Sequence, residues 1–312
     1  MPTHVVSGDR RVGESRSQRL RRRLWQERSA YLFIAPGAII FSVFTLGGML
    51  FAFYLTFHRW SIIEPEKPYV GMLNYQDMVN DERFVQSILN TVYFTGASIP
   101  LTMVIGLTLA LLLNQPIRGR AIFRTAYYLP VITPFVVSAI LWKWLYNGQY
   151  GLFNFYLLKT HLIDEPLLWL SDKNLAMPAV VLMTVWTGVG FSMVVYLAGL
   201  QSIPAELYDS AKLDGAGTLR RIRYITIPML RPTTLFLLVI GIIGSLQVFT
   251  QIFVMTSGGP VNKTTTMVYY MYLWAFKYYD MGYASTLAFA LFAMLLVFTG
   301  LQLRLFRDDV TR

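Results

Sequence analysis

Long apolar stretches dominate the pattern of hydrophobic and polar positions along this chain. Six of them hold no acidic residue and are long enough for a helix, rising about 1.5 Å per residue, to cross a hydrocarbon core about 30 Å thick. The six stretches are residues 31–57, 88–113, 123–145, 177–200, 233–255 and 284–306. The pattern therefore predicts an all-α polytopic membrane protein with six transmembrane helices.

Three arginines, Arg21, Arg22 and Arg23, precede the first apolar stretch and raise the alternative of a cleavable signal peptide. The apolar part of a signal peptide has about 7–15 residues and is followed by small residues at a cleavage site. The stretch 31–57 is longer than that, and no clear cleavage site follows it. We therefore expect it to be a retained span.

The composition also favours a membrane protein. Of the 312 residues, 55% are apolar and only 14% are charged, whereas soluble domains have about 25% charged residues. The net charge is nevertheless +10, and a basic soluble protein would suggest a nucleic-acid partner. The positions of the basic residues distinguish these two interpretations.

The Lys and Arg residues are concentrated in four segments. Nineteen of the 27, with 8 of the 17 acidic residues, lie before residue 31, around 118–124, in 201–232 and from 304 onwards. Because positively charged loops stay in the cytoplasm, both termini are predicted to be cytoplasmic. Membrane anchoring then explains the arginine-rich tail without nucleic acid.

This assignment divides the chain into three parts. Residues 1–30 form a basic cytoplasmic tail, residues 31–306 form the transmembrane domain, and residues 307–312 form a short cytoplasmic tail. The multi-pass topology predicts location in the cell (plasma or inner) membrane, within the lipid bilayer.

Residue types exclude several kinds of catalytic and metal site. The chain has no cysteine, and His4, His58 and His161 are far apart, so we expect no metal site. It contains neither the phosphate-binding G-x-x-x-x-G-K-[ST] motif nor G-x-S-x-G, and no carboxylates lie in its spans. We expect a transport subunit rather than an enzyme. A secondary transporter, a channel, an integral membrane enzyme and a structural subunit stay open as alternatives.

The connection between the fourth and fifth stretches, residues 201–232, has the pattern of two short helices around a glycine break. Glu206 and Asp209 suit the positive end of the first helix, and Gly215 suits its left-handed last position. Thr218 is expected to cap the second helix. Small residues between them allow another backbone to approach. The loop is either a docking site for a protein or a basic amphipathic segment on the inner leaflet.

The same loop resembles the EAA motif of binding-protein-dependent ABC transporter permeases. That motif reads EAA, three residues, Gly, nine residues, Ile-x-Leu-Pro. The corresponding residues here are Asp209-Ser210-Ala211, Gly215 and Ile225-Thr226-Ile227-Pro228. The spacing is complete, with Asp in place of Glu, Ser in place of the first Ala and Ile in place of Leu.

Further segments resemble the sugar-uptake branch of this family, the maltose and glycerol-3-phosphate type. YVGMLNY at 69–75 is similar to an outer-loop GLxNY element. The third-span LPxxxP…W…GxxN signature is matched by YLPVITP at 128–134, Trp142 and GLFN at 151–154. TSGGP at 256–260 is similar to a TxGGP turn after the fifth span. The resemblance covers roughly residues 28–306.

The resemblance implies the type I ABC importer permease fold, with both termini in the cytoplasm. Residues 206–215 would be a coupling helix docked in a groove of a separate ATPase. The implied partners are a second permease subunit, two cytoplasmic ATPase subunits and an extracytoplasmic solute-binding protein that delivers a sugar or related solute. This chain would bind no cofactor, because ATP and Mg²⁺ would lie on the ATPases. The residues assigned to ATPase coupling are Glu206, Asp209, Ser210, Ala211, Asp214, Gly215, Ile225 and Pro228.

Polar residues in the fifth span indicate a candidate pathway, because polar groups at lipid depth usually face the protein interior or water. Hydroxyls and amides both donate and accept hydrogen bonds, which suits sugar hydroxyls, and aromatic rings can stack on a sugar. The candidate pathway residues are Trp186, Ser245, Gln247, Phe249, Thr250 and Gln251. The alternative is that the glutamines only bridge neighbouring helices.

Three further local features carry structural expectations. Pro130 and Pro134 are expected to break or kink the third span, and Gly188 and Gly190 are expected to allow close helix contact in the fourth. The residues after the Gly-Gly-Pro turn, 262–266, are expected to form a solvated loop or, alternatively, to contact the binding protein.

Overall fold

The computed structural model describes residues 28–305 of the chain. It divides into two compact units, Met1–Tyr54 and Leu55–Arg312. The arginine-rich tail up to residue 27 and the tail 307–312 lie outside the described residues, as does Phe306 at the end of the sixth predicted span. The expectations for both tails therefore stay predictions.

The described part of the first unit is one apolar helical run. Helix α1 spans Arg28–Ile40, a π-helical turn spans Phe41–Gly47, and α2 spans Gly48–Leu55, with Leu55 opening the second unit. From Ala30 to Leu55 this run is long and apolar enough to cross a membrane. It corresponds to the first predicted span.

The second unit is also helical, and residues 28–305 contain no strand beyond two isolated bridges. Two further π-helical turns span Ile222–Thr226 and Leu273–Lys277. The helices are α3 Leu73–Asn80, α4 Glu82–Leu113, α5 Arg120–Ile132, α6 Phe135–Leu145, α7 Leu152–Lys159, α8 Ala176–Gln201, α9 Ala205–Leu213, α10 Thr218–Arg221, α11 Ile227–Met229, α12 Arg231–Leu246, α13 Thr250–Met255, α14 Met267–Tyr272 and α15 Met281–Leu305. The all-α prediction is confirmed for this part of the chain.

The membrane-crossing elements are of two kinds. Four helical runs are long and apolar enough by themselves: Ala30–Leu55, Glu82–Leu113, Ala176–Gln201 and Met281–Gln302. Two bent pairs pass the same test together, α5 with α6 at 100° and Thr218–Met229 with α12 at 63°. The described residues therefore supply four spans, or six if each bent pair crosses once.

The break between α5 and α6 confirms the expected interruption of the third stretch at Pro134, whereas Pro130 lies inside α5. Thr133 takes an extended backbone (ψ 127°) and Pro134 precedes the first residue of α6. Pro134 lacks the N–H that a continuing helix needs, and a residue before proline is forced out of the helical region. The two half-helices consequently meet at a sharp angle.

The expectation of one continuous helix over 233–255 is wrong. Helix α12 ends at Leu246, and α13 begins only at Thr250. The hydroxyl of Thr266 donates to the carbonyl of Val248 at 3.0 Å and satisfies a group that the break leaves without its helical partner. Gln247 and Gln251, which are four residues apart in the sequence, therefore do not lie on successive turns of one helix.

Helix α8 is the most buried span and packs along α4 and α5. At Gly190 a Cβ atom would lie 2.2 Å from the Tyr127 carbonyl oxygen of α5, so only glycine permits this approach. At Gly188 the nearest atom to such a Cβ is Thr102 Cγ2 of α4, at 3.2 Å. The expected close contact at the glycine pair is confirmed.

The turn after α13 is packed into the protein, so the expected solvated loop is wrong for its threonines. Thr264, Thr265 and Thr266 are buried, although Lys263 is exposed. Thr264 Oγ1 donates to Gly259 O (2.7 Å) and Thr265 Oγ1 to Gly258 O (3.2 Å). These bonds close the turn on itself.

Asp81 joins three helices of the second unit. Its Oδ1 accepts from the N–H of Arg83 (2.9 Å) at the start of α4. Its Oδ2 accepts from the hydroxyls of Tyr270 (2.5 Å) on α14 and Tyr283 (2.8 Å) on α15. Burial raises the pKa of Tyr270 above its ordinary value, and the hydrogen bond from Tyr270 to Asp81 raises it further. The Tyr270 hydroxyl therefore stays protonated and acts as the donor.

Candidate functional site

The first candidate site is the loop between α8 and α12. Helix α9 has Glu206 in its first turn, where the helix dipole favours an acidic side chain, and an exposed ion pair joins Asp209 to Lys212 at 2.7 Å. The helix ends in a Schellman motif, in which the N–H of Ala216 donates to Ala211 O (2.8 Å) and that of Gly215 to Lys212 O (3.0 Å).

The conformation of Gly215 follows the expectation from the sequence. Its φ is +74°, the left-handed region that a side chain disfavours, and no other atom lies within 4 Å of a Cβ placed there. The expectation for Thr218 is wrong in detail. Gly217 holds the N-cap position of α10, and Thr218 is the first residue of that helix.

One side-chain hydrogen bond ties α9 to the segment leading into α12. The hydroxyls of Tyr208 and Thr226 lie 3.0 Å apart, and Thr226 is only 2% exposed. Tyr208 and Ile225 also pack against a buried apolar cluster, which includes Ile203 and Leu230. The short helix is thereby fixed to the transmembrane part of the unit.

The predicted coupling residues share one stretch of surface. Glu206, Asp209, Ser210, Asp214 and Gly215 are exposed, whereas Ala211, Ile225 and Pro228 are half-buried. A groove of about 350 Å³ runs between α9 and the following segment. It is lined by Ala211, Asp214, Ala216, Arg220, Arg221, Tyr224 and Ile225. The geometry suits a partner protein seated on the loop, and the individual coupling roles stay predictions.

The second candidate site is an open-sided cavity of about 480 Å³ bordered by α4, α8 and the two broken spans. Both helix breaks line it, through Thr133 between α5 and α6 and through Gln247 and Phe249 between α12 and α13. Broken helices expose backbone and polar groups that a continuous helix would cover, which is typical of solute sites at membrane depth.

The structure brings together five of the six predicted pathway residues. Ser245, Gln247, Phe249, Thr250 and Gln251 all line the cavity. Trp186 is not part of the lining. Its ring packs against that of Trp142, with centroids 5.7 Å apart, beside an aromatic cluster at the end of α6 and the start of α7.

Six polar lining residues were not predicted from the sequence, five of them on two helices. Those five are Ser98 and Thr102 on α4 and Thr184, Thr187 and Ser192 on α8. A single hydroxyl in an apolar helix is common, because it can donate to a backbone carbonyl one turn earlier, so it carries no signal by itself. Thr133, beside Pro134, joins them from the first break.

The structure separates bridging residues from residues that face the cavity. Ser245 Oγ donates to Thr95 Oγ1 on α4 (3.0 Å), so this serine does bridge two helices. Within residues 28–305 the side-chain amides of Gln247 and Gln251 make no hydrogen bond to a neighbouring helix, and both residues line the cavity. The described residues also contain no cluster of three His, Cys, Asp or Glu that could hold a metal ion.

Comparison with known proteins places the chain in a family. The family described as "Binding-protein-dependent transport system inner membrane component" matches residues 79–308. The trehalose/maltose transport system permease MalF of Thermococcus litoralis is 37% identical over 284 residues, covering 89% of this chain and 94% of MalF. The lactose transport system permease LacF of Rhizobium radiobacter is 34% identical and covers 88% and 92%.

A solved structure agrees with the sequence relatives. A chain of a bacterial alginate ABC transporter, crystallised with an alginate pentasaccharide-bound periplasmic protein, superposes with a TM-score of 0.83 at 25% identity. The match covers 93% of this chain and 98% of that chain. The protein therefore belongs to the family of inner membrane components of binding-protein-dependent transport systems, as a multi-pass permease of the ABC importer type.

Proposed function

We propose that this chain forms half of the translocation pathway of an ATP-driven importer for a sugar or related solute. A second permease subunit would form the other half, and an extracytoplasmic binding protein would deliver the solute. The family membership supports this, as do relatives named for the transport of trehalose, maltose and lactose. ATP and Mg²⁺ would bind to two partner ATPase subunits.

The observation that carries the proposal is the cavity at the two helix breaks, whose mostly apolar wall carries several hydroxyl and amide groups. Its volume of about 480 Å³ lies within the range of small-molecule sites, about 300–1,000 Å³. Hydroxyl and amide groups line it together with Phe249 and Phe191. Such a wall supplies both hydrogen bonds and flat apolar surface to a sugar ring.

The loop between α8 and α12 would carry the coupling to the ATPases. Its exposed helix α9, the groove beside it and the Tyr208–Thr226 hydroxyl pair support this role. Closure of the ATPases would push α9, and the attached α12 would pass the movement to the cavity. The arrangement requires both termini and the loop 201–232 in the cytoplasm, with six spans in the membrane.

The test replaces Gln247 and Gln251 by leucine together. A hydrogen bond contributes about 1 kcal/mol net, and about 1.4 kcal/mol corresponds to a tenfold change, so loss of both amides should lower solute uptake about thirtyfold. Uptake is measured in cells expressing the whole importer, with co-purification of the ATPase as the check on assembly.

The control is Phe236→Leu, on the same helix α12 but outside the cavity lining. It should leave uptake close to the parent level. Unchanged uptake in the double glutamine variant, with normal assembly, would show that the cavity is not the pathway.

A further inference from the structure

The cavity between the broken spans has a mostly apolar wall that carries hydroxyl and amide groups and, among the described residues, no ionisable side chain. Within the described residues, its polar lining consists of serine and threonine hydroxyls and the amides of Gln247 and Gln251. The basic residue Lys143 donates a hydrogen bond to α13. Its Nζ lies 3.4 Å from Val254 O, exposed and outside the lining. A charged solute would therefore meet no opposite charge in this wall.

Several lining hydroxyls have already used their single proton within the chain. Thr184 Oγ1 donates to Val180 O (2.9 Å), Thr187 Oγ1 to Thr184 O (2.8 Å) and Thr133 Oγ1 to Leu129 O (3.1 Å). Toward a solute, these hydroxyl oxygens can therefore act only as hydrogen-bond acceptors. These positions therefore favour a solute that donates hydrogen bonds and disfavour oxygens that bear negative charge.

Two other hydroxyls of the lining residues are closed off from the cavity. Ser98 on α4 and Ser192 on α8 are 1% and 2% exposed, and their Oγ atoms are inaccessible to solvent. Ser192 Oγ faces Gly106 of α4, where a Cβ atom would lie 2.5 Å from it. These two hydroxyls therefore add neither a charge nor a hydrogen bond for a solute.

The helix ends at the cavity do not replace the missing charge. The C-terminal ends of α5 and α12, which carry partial negative charge, lie at the two breaks. The N-terminal ends of α6 and α13, which carry partial positive charge, lie opposite them. With both polarities present, the backbone provides no net positive field for an anion.

We propose that this half of the pathway accepts an uncharged, polyhydroxylated solute and excludes phosphorylated or uronic-acid sugars. The inference rests on the proposed function, because it requires the solute to enter this cavity. An anion would have to leave water for a wall without a counter-charge, and that desolvation is not compensated. The specificity would thus be set partly in the permease itself.

The test uses the absence of cysteine from the chain. Thr102→Cys places one thiol in the cavity wall, and its reaction rate with a small neutral methanethiosulfonate is measured in the whole importer in nanodiscs. Trehalose and trehalose 6-phosphate are the two probes, because they differ by a single charged group. Thr160→Cys, in an exposed loop, is the matched control whose labelling neither probe should change.

Trehalose should slow the labelling of the cavity thiol. The concentration of trehalose 6-phosphate needed for the same protection should be at least about tenfold higher, since an unpaired buried charge costs more than the 1.4 kcal/mol that a factor of ten represents. Gln247→Lys in the Thr102→Cys background should restore protection by the phosphate.

The outcomes separate the two hypotheses. Equal protection by both probes would overturn the neutral-solute inference and leave the cavity as the pathway. If the thiol reacts but neither probe slows it, the uncharged polyhydroxylated probe does not enter this cavity and the neutral-solute inference is overturned, whereas the proposed function is judged separately by uptake in the Gln247 and Gln251 variant.

Discussion

At the scale of single residues, Gly215 carries a constraint that comes from its own backbone. Its φ of +74° closes the Schellman motif at the end of α9, while the space around its Cα is open. A side chain there would meet no neighbour and would still be strained, by about 1–2 kcal/mol for a residue in the left-handed region. The backbone direction after α9, and thus the shape of the groove, depends on this residue.

We expect Gly215→Val to uncouple the importer and Gly215→Asn to preserve coupling. Valine is β-branched and strongly disfavours positive φ, whereas asparagine adopts it readily although its side chain is no smaller. The measurement is solute uptake and ATPase activity stimulated by the binding protein, with membrane levels of the chain determined in parallel. Equal activity of the two variants would contradict a role for the left-handed backbone.

Some site residues were predictable one by one and others were not. The polar residues at 245–251 stand out because several occur within one apolar stretch. Ser98, Thr187 and Ser192 are isolated hydroxyls in separate helices, and only the packing of α4 against α8 brings them to one cavity. Trp186 had the right chemistry for sugar stacking, but its neighbour Trp142 holds it in another cluster.

At the scale of elements, the two broken spans differ in how far the sequence predicts them. The break at Thr133 follows from local chemistry, because proline cannot continue a helix. The break after Leu246 contains neither glycine nor proline. A distant hydroxyl, Thr266 Oγ1, takes the carbonyl of Val248, so tertiary contact overrides a helix-compatible sequence. Length and hydropathy predict an apolar span over 233–255, but they do not predict its interruption between Leu246 and Thr250.

The hydrogen bond between Tyr208 on α9 and Thr226, in the segment that leads into α12, predicts a defect in coupling when it is removed. Tyr208→Phe removes only the hydroxyl that bonds Thr226. With about 1 kcal/mol lost from one hydrogen bond, solute transported per ATP hydrolysed should fall about fivefold, while the level of assembled complex stays constant. The ratio is measured in proteoliposomes with the loaded binding protein.

The matched control is Ser202→Ala, which removes an exposed hydroxyl in the same loop that donates to Gly199 O (2.8 Å) and lies outside the groove. Its ratio of transport to ATP hydrolysis should match the parent. A loss of complex in Tyr208→Phe without a change in that ratio would make the hydroxyl pair a folding contact rather than a coupling contact.

At the scale of the whole molecule, the distribution of charge and the bent helices determine the topology together. The concentration of Lys and Arg in alternate segments predicts cytoplasmic termini. That orientation requires each bent pair to cross the membrane once. If either pair instead returned to the side it started from, every later loop would face the opposite side and the positive segments would no longer share a compartment.

Single cysteines in this cysteine-free chain test both bent pairs. Gln115→Cys, Thr160→Cys and Lys263→Cys place thiols at exposed positions before α5, after α7 and after α13. An impermeant maleimide added to intact cells should label Thr160→Cys and Lys263→Cys, and Gln115→Cys only after permeabilisation. Labelling of Gln115→Cys from outside would reverse the orientation. If only Lys263→Cys resists labelling from outside, the pair ending in α12 is re-entrant. If both Thr160→Cys and Lys263→Cys resist it, the pair formed by α5 and α6 is re-entrant.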